Sequence, residues 1–304
     1  MIKKFQDVLR IAKERGPKTV AVACAQDNDV LKAVHDAFKY GIIKAILIGD
    51  AVKIESICKS ENIDISDYEL IDIQDQTEAC LKAVELVSSG KGHLLMKGLV
   101  DTGILLKAVL NKEVGLRTGN VLSHVAVFDV PTYHKLLIVT DAAMNIAPDL
   151  ATKKEILENA LVVSRALDIE QAKVAVIAAK EKVNPKMPAT VDAGALVQMN
   201  ESGEIKGCLV GGPFSLDIAV SLEAAKIKGF VHPVAGDADI LLCPSIEAGN
   251  ILYKSLTFLA KAEGAGVIVG TKAPVILTSR ADSEETKLNS IALGVLMATN
   301  CKEN

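Results

Sequence analysis

Short runs of aliphatic residues alternate with helix-length segments along most of this chain, and this alternation is the feature that most constrains its fold. The run "TVAVACA" (Thr19–Ala25) precedes "DNDVLKAVHDAFKYG", where apolar residues recur at helical spacing and a glycine follows the last of them. The same pattern recurs at "KAILIGD", "GHLLMKG", "KLLIVTD", "KVAVIAA" and "ADILLCP". Because parallel strands are joined by helical crossovers, the alternation predicts an α/β fold whose mostly parallel sheets are covered by helices.

Two places interrupt this rhythm and indicate a two-domain organisation. "NVLSHVAVFDV" precedes "KLLIVTD" without a long helix between them, and two short strands follow one another around Pro274. Such breaks suit a chain that leaves one domain, builds a second and returns to the first. We therefore predict a discontinuous α/β domain I from 1–120 plus 270–304 and an α/β domain II from 121–269.

The composition excludes several classes of partner. Hydrophobic residues make up 50% of the chain, aromatic residues only 3%, and the net charge is −4. This leaves neither stacking platforms nor a basic surface for nucleic acid. The amphipathic N-terminus lacks the apolar core of a signal peptide, and no run of 18 or more apolar residues exists. We expect a cytoplasmic protein that binds neither nucleic acid nor membrane.

The familiar motifs of metal and cofactor sites are missing. The six cysteines form no CxxC pair, and the five histidines show no HxH or HExxH grouping. GxxxxGK[ST], GxGxxG and GxSxG are also absent. We therefore predict no metal and no cofactor, and interpret the cysteines as small core hydrophobes.

Candidate site residues are those that follow the predicted strands, because open parallel sheets bind ligands beyond the carboxyl ends of their strands. Lys97 follows one strand, Asn145 lies shortly after another, and "CLVGGPF" is interpreted as ending in a Gly-Gly-Pro turn before a helix. Lys97 and Lys107 are able to contact a phosphate or a nucleotide, although an isolated lysine on a helix usually belongs to a solvated face.

The segment "VILTSRADSEETK" places a hydroxyl, a guanidinium and several acids together after a strand. Ser283 or Asp282 as the cap of the last helix, with glutamates in its first turn, explains the acids. It does not explain Arg280, because a cation is unfavourable at the positive end of a helix unless an anion offsets it. This leaves open a site for an anionic substrate.

Gly249 and Asn250 are unusual in the first turns of the helix predicted over "PSIEAGNILYKSLTF". Glycine weakens a helix by about 1 kcal/mol. Close approach of a ligand, close approach of another backbone or a capping irregularity would each account for it.

Taken together, these segments resemble the phosphate acetyl/butyryltransferase family, and within it the butyryl-transferring members most. The resemblance rests on "AGNILYK" and "TSRADS", with "KGLVDTGILLKAVL", "VTDAAMNIAPD" and "GPFSLDIAVS" upstream, and so extends over nearly the whole chain. It implies a two-domain subunit of the isocitrate/isopropylmalate dehydrogenase-like fold, with the active site in the cleft between the domains. It also implies a homodimer or higher homo-oligomer, and the reaction of butyryl-CoA with phosphate to give butyryl phosphate and CoA without a metal.

The resemblance also implies roles for individual residues. Ser279 contacts the reacting thiol or carbonyl, and Arg280 holds the acyl-phosphate oxygens. The acetyl-transferring members carry an aspartate where this chain has Thr286, so Glu285 is assigned as the general base, with Asp282 as an alternative. The acetyl members also carry an arginine where this chain has Lys107, which lacks the planar fork that grips phosphate. The residues assigned to substrate binding are Lys97, Lys107, Asn145, Gly249, Asn250 and Lys254.

Other functions remain open on the sequence. Phosphate acetyltransferase activity changes only the acyl group. A non-catalytic CoA- or nucleotide-binding regulator would retain the fold and lose turnover. An NAD(P)-dependent hydroxy-acid dehydrogenase would need a cluster of metal-binding aspartates, which the sequence does not offer.

Overall fold

The computed structural model describes residues 2–279 and 282–300. In chain order, the elements up to residue 140 are α1 (Phe5–Glu14), β1 (Lys18–Ala23), α2 (Asn28–Lys39), β2 (Ile43–Gly49), α3 (Ala51–Ser60), a 3₁₀ turn (Ile65–Asp67), β3 (Glu69–Asp72), α4 (Gln76–Ser88), β4 (Leu94–Lys97), α5 (Thr102–Val109), β5 (Ser123–Asp129) and β6 (Leu137–Thr140). The remaining elements are α6 (Leu150–Ala166), β7 (Ala172–Ile177), α7 (Pro188–Glu201), β8 (Cys208–Phe214), α8 (Leu216–Val220), α9 (Leu222–Ile227), β9 (Ile240–Leu242), α10 (Ile246–Lys254), a π-helical turn (Ser255–Leu259), β10 (Glu263–Val269), β11 (Val275–Ile276) and α11 (Glu284–Asn300).

The chain divides into two compact units. The first unit consists of Phe5–Asn120 and the chain from Ala265 onward, and the second unit consists of Val121–Gly264 with the residues up to Lys4. Each unit has its own run of strands and its own helices.

The strands of the first unit lie in the order β3-β2-β1-β4-β11-β10. All neighbouring pairs are parallel except β10 and β11, the strand pair around Pro274, which is antiparallel. β1 and β4 are almost wholly buried along their lengths, because helices cover both faces of the sheet, and this explains their continuous apolar runs.

The second unit has the strand order β5-β6-β9-β7-β8. β5 and β6 are antiparallel, as expected for two strands without an intervening helix, and the other pairs are parallel. The predicted α/β class with mostly parallel sheets is therefore confirmed. β6, β7, β8 and β9 all end at the same edge of their sheet, where ligands of such folds bind.

Aspartate side chains define where several helices begin. Asp27, Asp50, Asp75 and Asp149 each accept hydrogen bonds from backbone N–H groups in the first turn of the following helix. These bonds satisfy donors that have no partner within the helix, and each such cap contributes about 1 kcal/mol.

The Gly-Gly-Pro turn predicted within "CLVGGPF" is wrong, because β8 continues through these residues to Phe214. A Cβ on Gly211 would lie 2.7 Å from the ring of His232, and one on Gly212 would lie 3.0 Å from the side chain of Val176. The glycines therefore permit close packing within a strand. Among the residues described, no helix has the length and apolar character needed to cross a membrane.

Candidate active site

In the first unit, two strands deliver polar residues to the same edge of the sheet. β4 and β11 are parallel neighbours, with Met96 beside Ile276. The residue after Met96 is Lys97, and Ser279 follows three residues after Ile276. Ser279 is exposed at this edge.

A short loop after β11 positions Ser279. The Ser279 N–H donates to the Asp282 carboxylate over 2.6 Å, and the Asp282 N–H donates to the Ser279 carbonyl over 3.2 Å. Asp282 is buried, and its own carbonyl accepts a hydrogen bond from the buried Lys287 ammonium. These bonds connect the serine to the start of α11. Arg280 lies outside the described residues, so its role stays a prediction.

The first turn of α11 resolves the two capping alternatives. The Thr286 N–H donates to the Ser283 hydroxyl over 3.1 Å, which makes Ser283 the helix cap. The hydroxyl of Thr286 also contacts that of Ser283 at 3.1 Å, so Thr286 stabilises the beginning of the helix. Glu285 is exposed in this first turn, and its assignment as the general base stays a prediction.

Glu284, which the sequence assigned only to the helix dipole, has a different environment. Burial, followed by a hydrogen bond with the Asp36 carboxyl of α2, raises the pKa of Glu284. No sequence signal indicates this carboxyl pair, because the partners are distant along the chain and meet only where α2 packs on α11.

Lys97 is buried at the end of β4. Its ammonium donates to the carbonyls of Gly98 and Val100, over 3.2 and 3.1 Å. A Cβ on Gly98 would lie 2.2 Å from the carbonyl oxygen of Cys24, so only glycine fits beside the end of β1. Lys107 is exposed in the last turn of α5, where a cation is favoured by the helix dipole.

The corresponding edge of the second unit is organised by Asp141, the residue after β6. One oxygen of its buried carboxylate accepts from the N–H groups of Ala143 and Met144, over 2.9 and 3.0 Å. The other oxygen accepts from the backbone N–H of Asn145 at 3.2 Å and from its side-chain amide at 2.6 Å. The same amide donates to the Leu122 carbonyl over 2.8 Å. The loop from Asp141 to Asn145 is therefore held in one conformation.

The N-terminal half of α10 packs directly on this loop. A Cβ on Gly249 would lie 2.1 Å from the carbonyl oxygen of Asp141, and the Asn250 amide donates to the Ala142 carbonyl over 3.1 Å. Close approach of another backbone, one of the three explanations left open by the sequence, accounts for the glycine. Lys254 is exposed at the C-terminal end of α10.

No group of three or more potential metal ligands occurs in the part of the chain that the structure describes. The five cysteines described are all buried. Burial raises the pKa of Cys208 to about 11 and that of Cys243 to about 12. Neither thiol is a nucleophile at neutral pH. Cys301 lies outside the described residues.

The segments on which the family resemblance rests contain three features of these sites. They are the serine after β11, the ordered loop after β6 and the helix that packs on that loop. The family model described as phosphate acetyl/butaryl transferase matches residues 4–80 and 73–295. The chain belongs to this family.

Individual members of the family match the chain over nearly its full length. The phosphate butyryltransferase of Clostridium acetobutylicum is 53% identical over 300 residues, covering 99% of this chain and 100% of that protein. The phosphate acetyltransferase of Thermotoga maritima is 46% identical over 294 residues, covering 97% and 99%. Among solved structures, a branched-chain phosphotransacylase from Enterococcus faecalis superimposes with a TM-score of 0.82 at 38% identity, covering 92% of this chain and 99% of that one.

The structure places the predicted site residues of this phosphate acetyl/butaryl transferase family member in three ways. Lys97 and Ser279 lie at the same edge of the first unit's sheet, while Asn145, Gly249 and Asn250 meet around Asp141 in the second unit. The other predicted site residues that the structure describes, Lys107, Lys254 and Glu285, are exposed. The sequence analysis did not assign a role to Asp141. Its position directly after a buried strand, followed by small residues and Asn145, was the available signal.

Proposed function

We propose that this protein transfers a short acyl group, butyryl, between coenzyme A and inorganic phosphate. The observation that carries the proposal is the end-to-end identity of 53% with the C. acetobutylicum phosphate butyryltransferase, in a chain that has Ser279 and Arg280 after β11. We further propose that it acts in the cytoplasm as a homo-oligomer and needs no metal or cofactor.

In one direction the CoA sulfur attacks the carbonyl carbon of butyryl phosphate. The C–S bond forms, the C–O bond to phosphate breaks, phosphate leaves with the bonding electrons, and the thiol proton passes to a base. The reverse reaction uses phosphate oxygen as the nucleophile and CoA thiolate as the leaving group. No covalent enzyme intermediate is required, because both substrates are present when the acyl group moves.

Each proposed residue has a defined task in this reaction. Ser279 hydrogen-bonds the reacting thiol, and Arg280 neutralises the charge that develops on the carbonyl and phosphate oxygens. A thiol of pKa about 8.5 is mostly protonated at pH 7, so a carboxylate base, assigned to Glu285, assists the attack. The hydrogen bond that the Ser279 N–H donates to the Asp282 carboxylate restricts the serine backbone before substrate binds.

The second candidate function is phosphate acetyltransferase, favoured by the 46% identity with the T. maritima enzyme. The two activities differ by two methylene groups in the substrate, and each methylene contributes only about 1–3 kcal/mol of discrimination. Acyl preference must therefore be measured.

The test follows CoA release with a thiol reagent while the enzyme and phosphate are mixed with acetyl-, propionyl-, butyryl- or valeryl-CoA. We expect release that depends on phosphate and is fastest with butyryl-CoA. A maximum at acetyl-CoA would favour the second candidate. Absence of phosphate-dependent release with all four thioesters, from a folded protein that binds CoA, would contradict the acyltransferase proposal and favour a regulatory protein.

A further inference from the structure

Two of the buried cysteines lie next to each other in the first unit. Cys24 is the residue after β1, and Cys80 lies in the second turn of α4. The Cys24 thiol is 3.9 Å from the carbonyl oxygen of Gln76, which lies one helical turn before Cys80. Helical side chains lean back over the preceding turn, so the Cys80 thiol reaches the same place. There it donates a hydrogen bond to the Cys24 sulfur.

The backbone of Cys24 has a conformation that cysteine rarely adopts. Its φ angle is +56°, in the left-handed region where Cβ crowds the following carbonyl oxygen. Strain of this kind at a non-glycine residue persists only where the surrounding structure holds it, and it is frequent at functional sites. Here the Leu99 N–H donates to the Cys24 carbonyl over 2.7 Å, and the Gly98 N–H donates to the Ala23 carbonyl over 2.8 Å. A strained but well-bonded turn therefore holds this thiol against Cys80.

The two thiols differ in acidity. The hydrogen bond from Cys80, aided by the Lys97 ammonium, lowers the pKa of Cys24 against the opposing effects of burial and of Asp75. The same hydrogen bond, together with burial, raises the pKa of Cys80. Cys24 is therefore the thiol that ionises first, and the thiolate is the form that attacks an oxidant. This leaves Cys80 as the neighbouring thiol that can resolve an oxidised Cys24.

A small oxidant has a short path to this pair. Residues 74–78, which form the beginning of α4, are all exposed, and burial begins only at Ala79. Because the Cys24 thiol contacts the Gln76 carbonyl, it lies directly beneath this exposed first turn. The ends of helices open locally at a low free-energy cost, since few intrahelical hydrogen bonds hold them. A molecule as small as hydrogen peroxide can enter through such an opening.

We propose that Cys24 and Cys80 form a reversible disulfide when the protein meets hydrogen peroxide, and that this bond slows the proposed acyl transfer. In the first step the Cys24 sulfur attacks a peroxide oxygen. The S–O bond forms, the O–O bond breaks, and the leaving hydroxide takes the thiol proton to become water. The Cys80 sulfur then attacks the Cys24 sulfur, the S–S bond forms, and the oxygen leaves as a second water with the Cys80 proton. The two sulfurs thus give two electrons to the peroxide, and a reduced dithiol returns them by exchange.

The effect on turnover rests on the proposed function and follows from the contacts around Cys24. A disulfide bond is about 2 Å long, shorter than a hydrogen bond between two thiols, so the Cys24 turn and α4 must approach each other. A Cβ on Gly98 would lie 2.2 Å from the Cys24 carbonyl oxygen, so these two backbones are in direct contact. The Gly98 carbonyl in turn accepts a hydrogen bond from the Lys97 ammonium over 3.2 Å. Movement of Cys24 therefore displaces the loop that holds Lys97, at the sheet edge where Ser279 also lies.

The first experiment detects the bond itself in the wild-type protein. The reduced protein is treated with a small excess of hydrogen peroxide, its remaining thiols are alkylated, and an unreduced digest is analysed by mass spectrometry. We expect a linked peptide pair that carries Cys24 and Cys80, about 2 Da lighter than the two reduced peptides together, and its loss after dithiothreitol. The number of free thiols in urea should fall by two from the six of the sequence. A pair that stays unlinked, or links spread over the other cysteines, would overturn the proposal.

Two substitutions separate this pair from the other buried thiols. Cys80→Ala removes the resolving thiol, so Cys24 should stop at the sulfenic acid, which dimedone labels. Cys58 in α3 of the same unit is also buried, and burial raises the pKa of its thiol. Cys58→Ala is therefore the matched control, and it should form the bond between Cys24 and Cys80 as the wild type does. Dimedone labelling of other cysteines instead of Cys24 in Cys80→Ala would contradict Cys24 as the attacking thiol.

The last measurement separates this proposal from the proposed function. Each protein is assayed for CoA release from butyryl-CoA after peroxide treatment and again after reduction, with the peroxide and the reductant removed. We expect kcat to fall about tenfold in the wild type and in Cys58→Ala, to recover on reduction, and to change less than twofold in Cys80→Ala. A linked protein with the kcat of the reduced form would overturn the proposed switch. If the reduced protein had no turnover, the proposed function would fail, while the bond between Cys24 and Cys80 would still support the pair as a redox site.

Discussion

Substituting Gly249 by alanine tests the close packing of α10 on the Asp141 loop. The added Cβ would lie 2.1 Å from the Asp141 carbonyl oxygen and 3.0 Å from the Ala142 Cα. An unstrained carbon–oxygen contact is about 3.3 Å or longer, so the helix or the loop must move by about 1 Å. Both partners are backbone, and neither can avoid the contact by changing a rotamer.

The expected magnitude combines two opposing effects. Alanine in place of glycine favours the helix by about 1 kcal/mol. Overpacking typically costs about 1–3 kcal/mol, and loss of the Asn250 hydrogen bond to Ala142 costs about 1 kcal/mol more. We expect Gly249→Ala to lower the free energy of unfolding by about 1–3 kcal/mol. Because a displacement of about 1 Å near a reacting group can cost about 100-fold, we also expect a large fall in kcat.

Gly103 in α5 provides the matched control, because a Cβ there meets no atom within 4 Å. Gly103→Ala should raise stability by up to about 1 kcal/mol. Urea unfolding followed by circular dichroism measures both variants, and the CoA-release assay measures their turnover. If Gly249→Ala proved as stable as Gly103→Ala, the reasoning from steric contact with the Asp141 carbonyl would be refuted.

Four further substitutions address the site and the acid stability. Arg280→Ala should lower kcat by about 100-fold or more in the CoA-release assay while leaving the urea midpoint unchanged; full activity would remove Arg280 from the site. Glu285→Gln should lower kcat by about 100-fold and abolish the acid limb of the kcat–pH profile, whereas an unaltered profile would exclude Glu285 as the base. Asp141→Asn replaces a buried carboxylate that accepts hydrogen bonds from several N–H groups. We expect thermal unfolding to show a free energy of unfolding lower by about 2–3 kcal/mol, together with reduced turnover. A variant as stable as the wild type would show that the loop needs no carboxylate. Burial opposes ionisation of Asp237, yet hydrogen bonds from lysine and histidine side chains lower its pKa well below the ordinary value. Because the pKa is lowered in the folded state, the ionised Asp237 stabilises the fold above about pH 4, and this stabilisation is lost as the carboxylate is protonated at lower pH. The Asp237→Asn variant has no such carboxylate, so its stability should fall less than that of the wild type between about pH 5 and 2. Identical pH dependence of Tm in both proteins would contradict this account.

Local sequence was sufficient to predict the fold class. A buried parallel strand needs apolar residues on both faces, so runs such as "TVAVACA" indicate it directly. The missing helix before "KLLIVTD" was also visible in the sequence, where it indicated a break between domains, and the structure has the antiparallel pair β5 and β6 at this place. The one local error, the turn placed in "CLVGGPF", arose because glycine and proline usually end strands. Here the space left by Gly211 and Gly212 is filled by His232 and Val176.

The sequence by itself thus determined the strand–helix order, the family and the presence of Ser279 after β11. Each of these depends on residues that are close together in the chain. Only the tertiary structure decided that Gly249 faces the Asp141 carbonyl and that Glu284 meets Asp36. It also brought the thiols of Cys24 and Cys80 together. The physical reason is that these relations depend on how distant segments pack, and a side chain's role there is set by its neighbours in space.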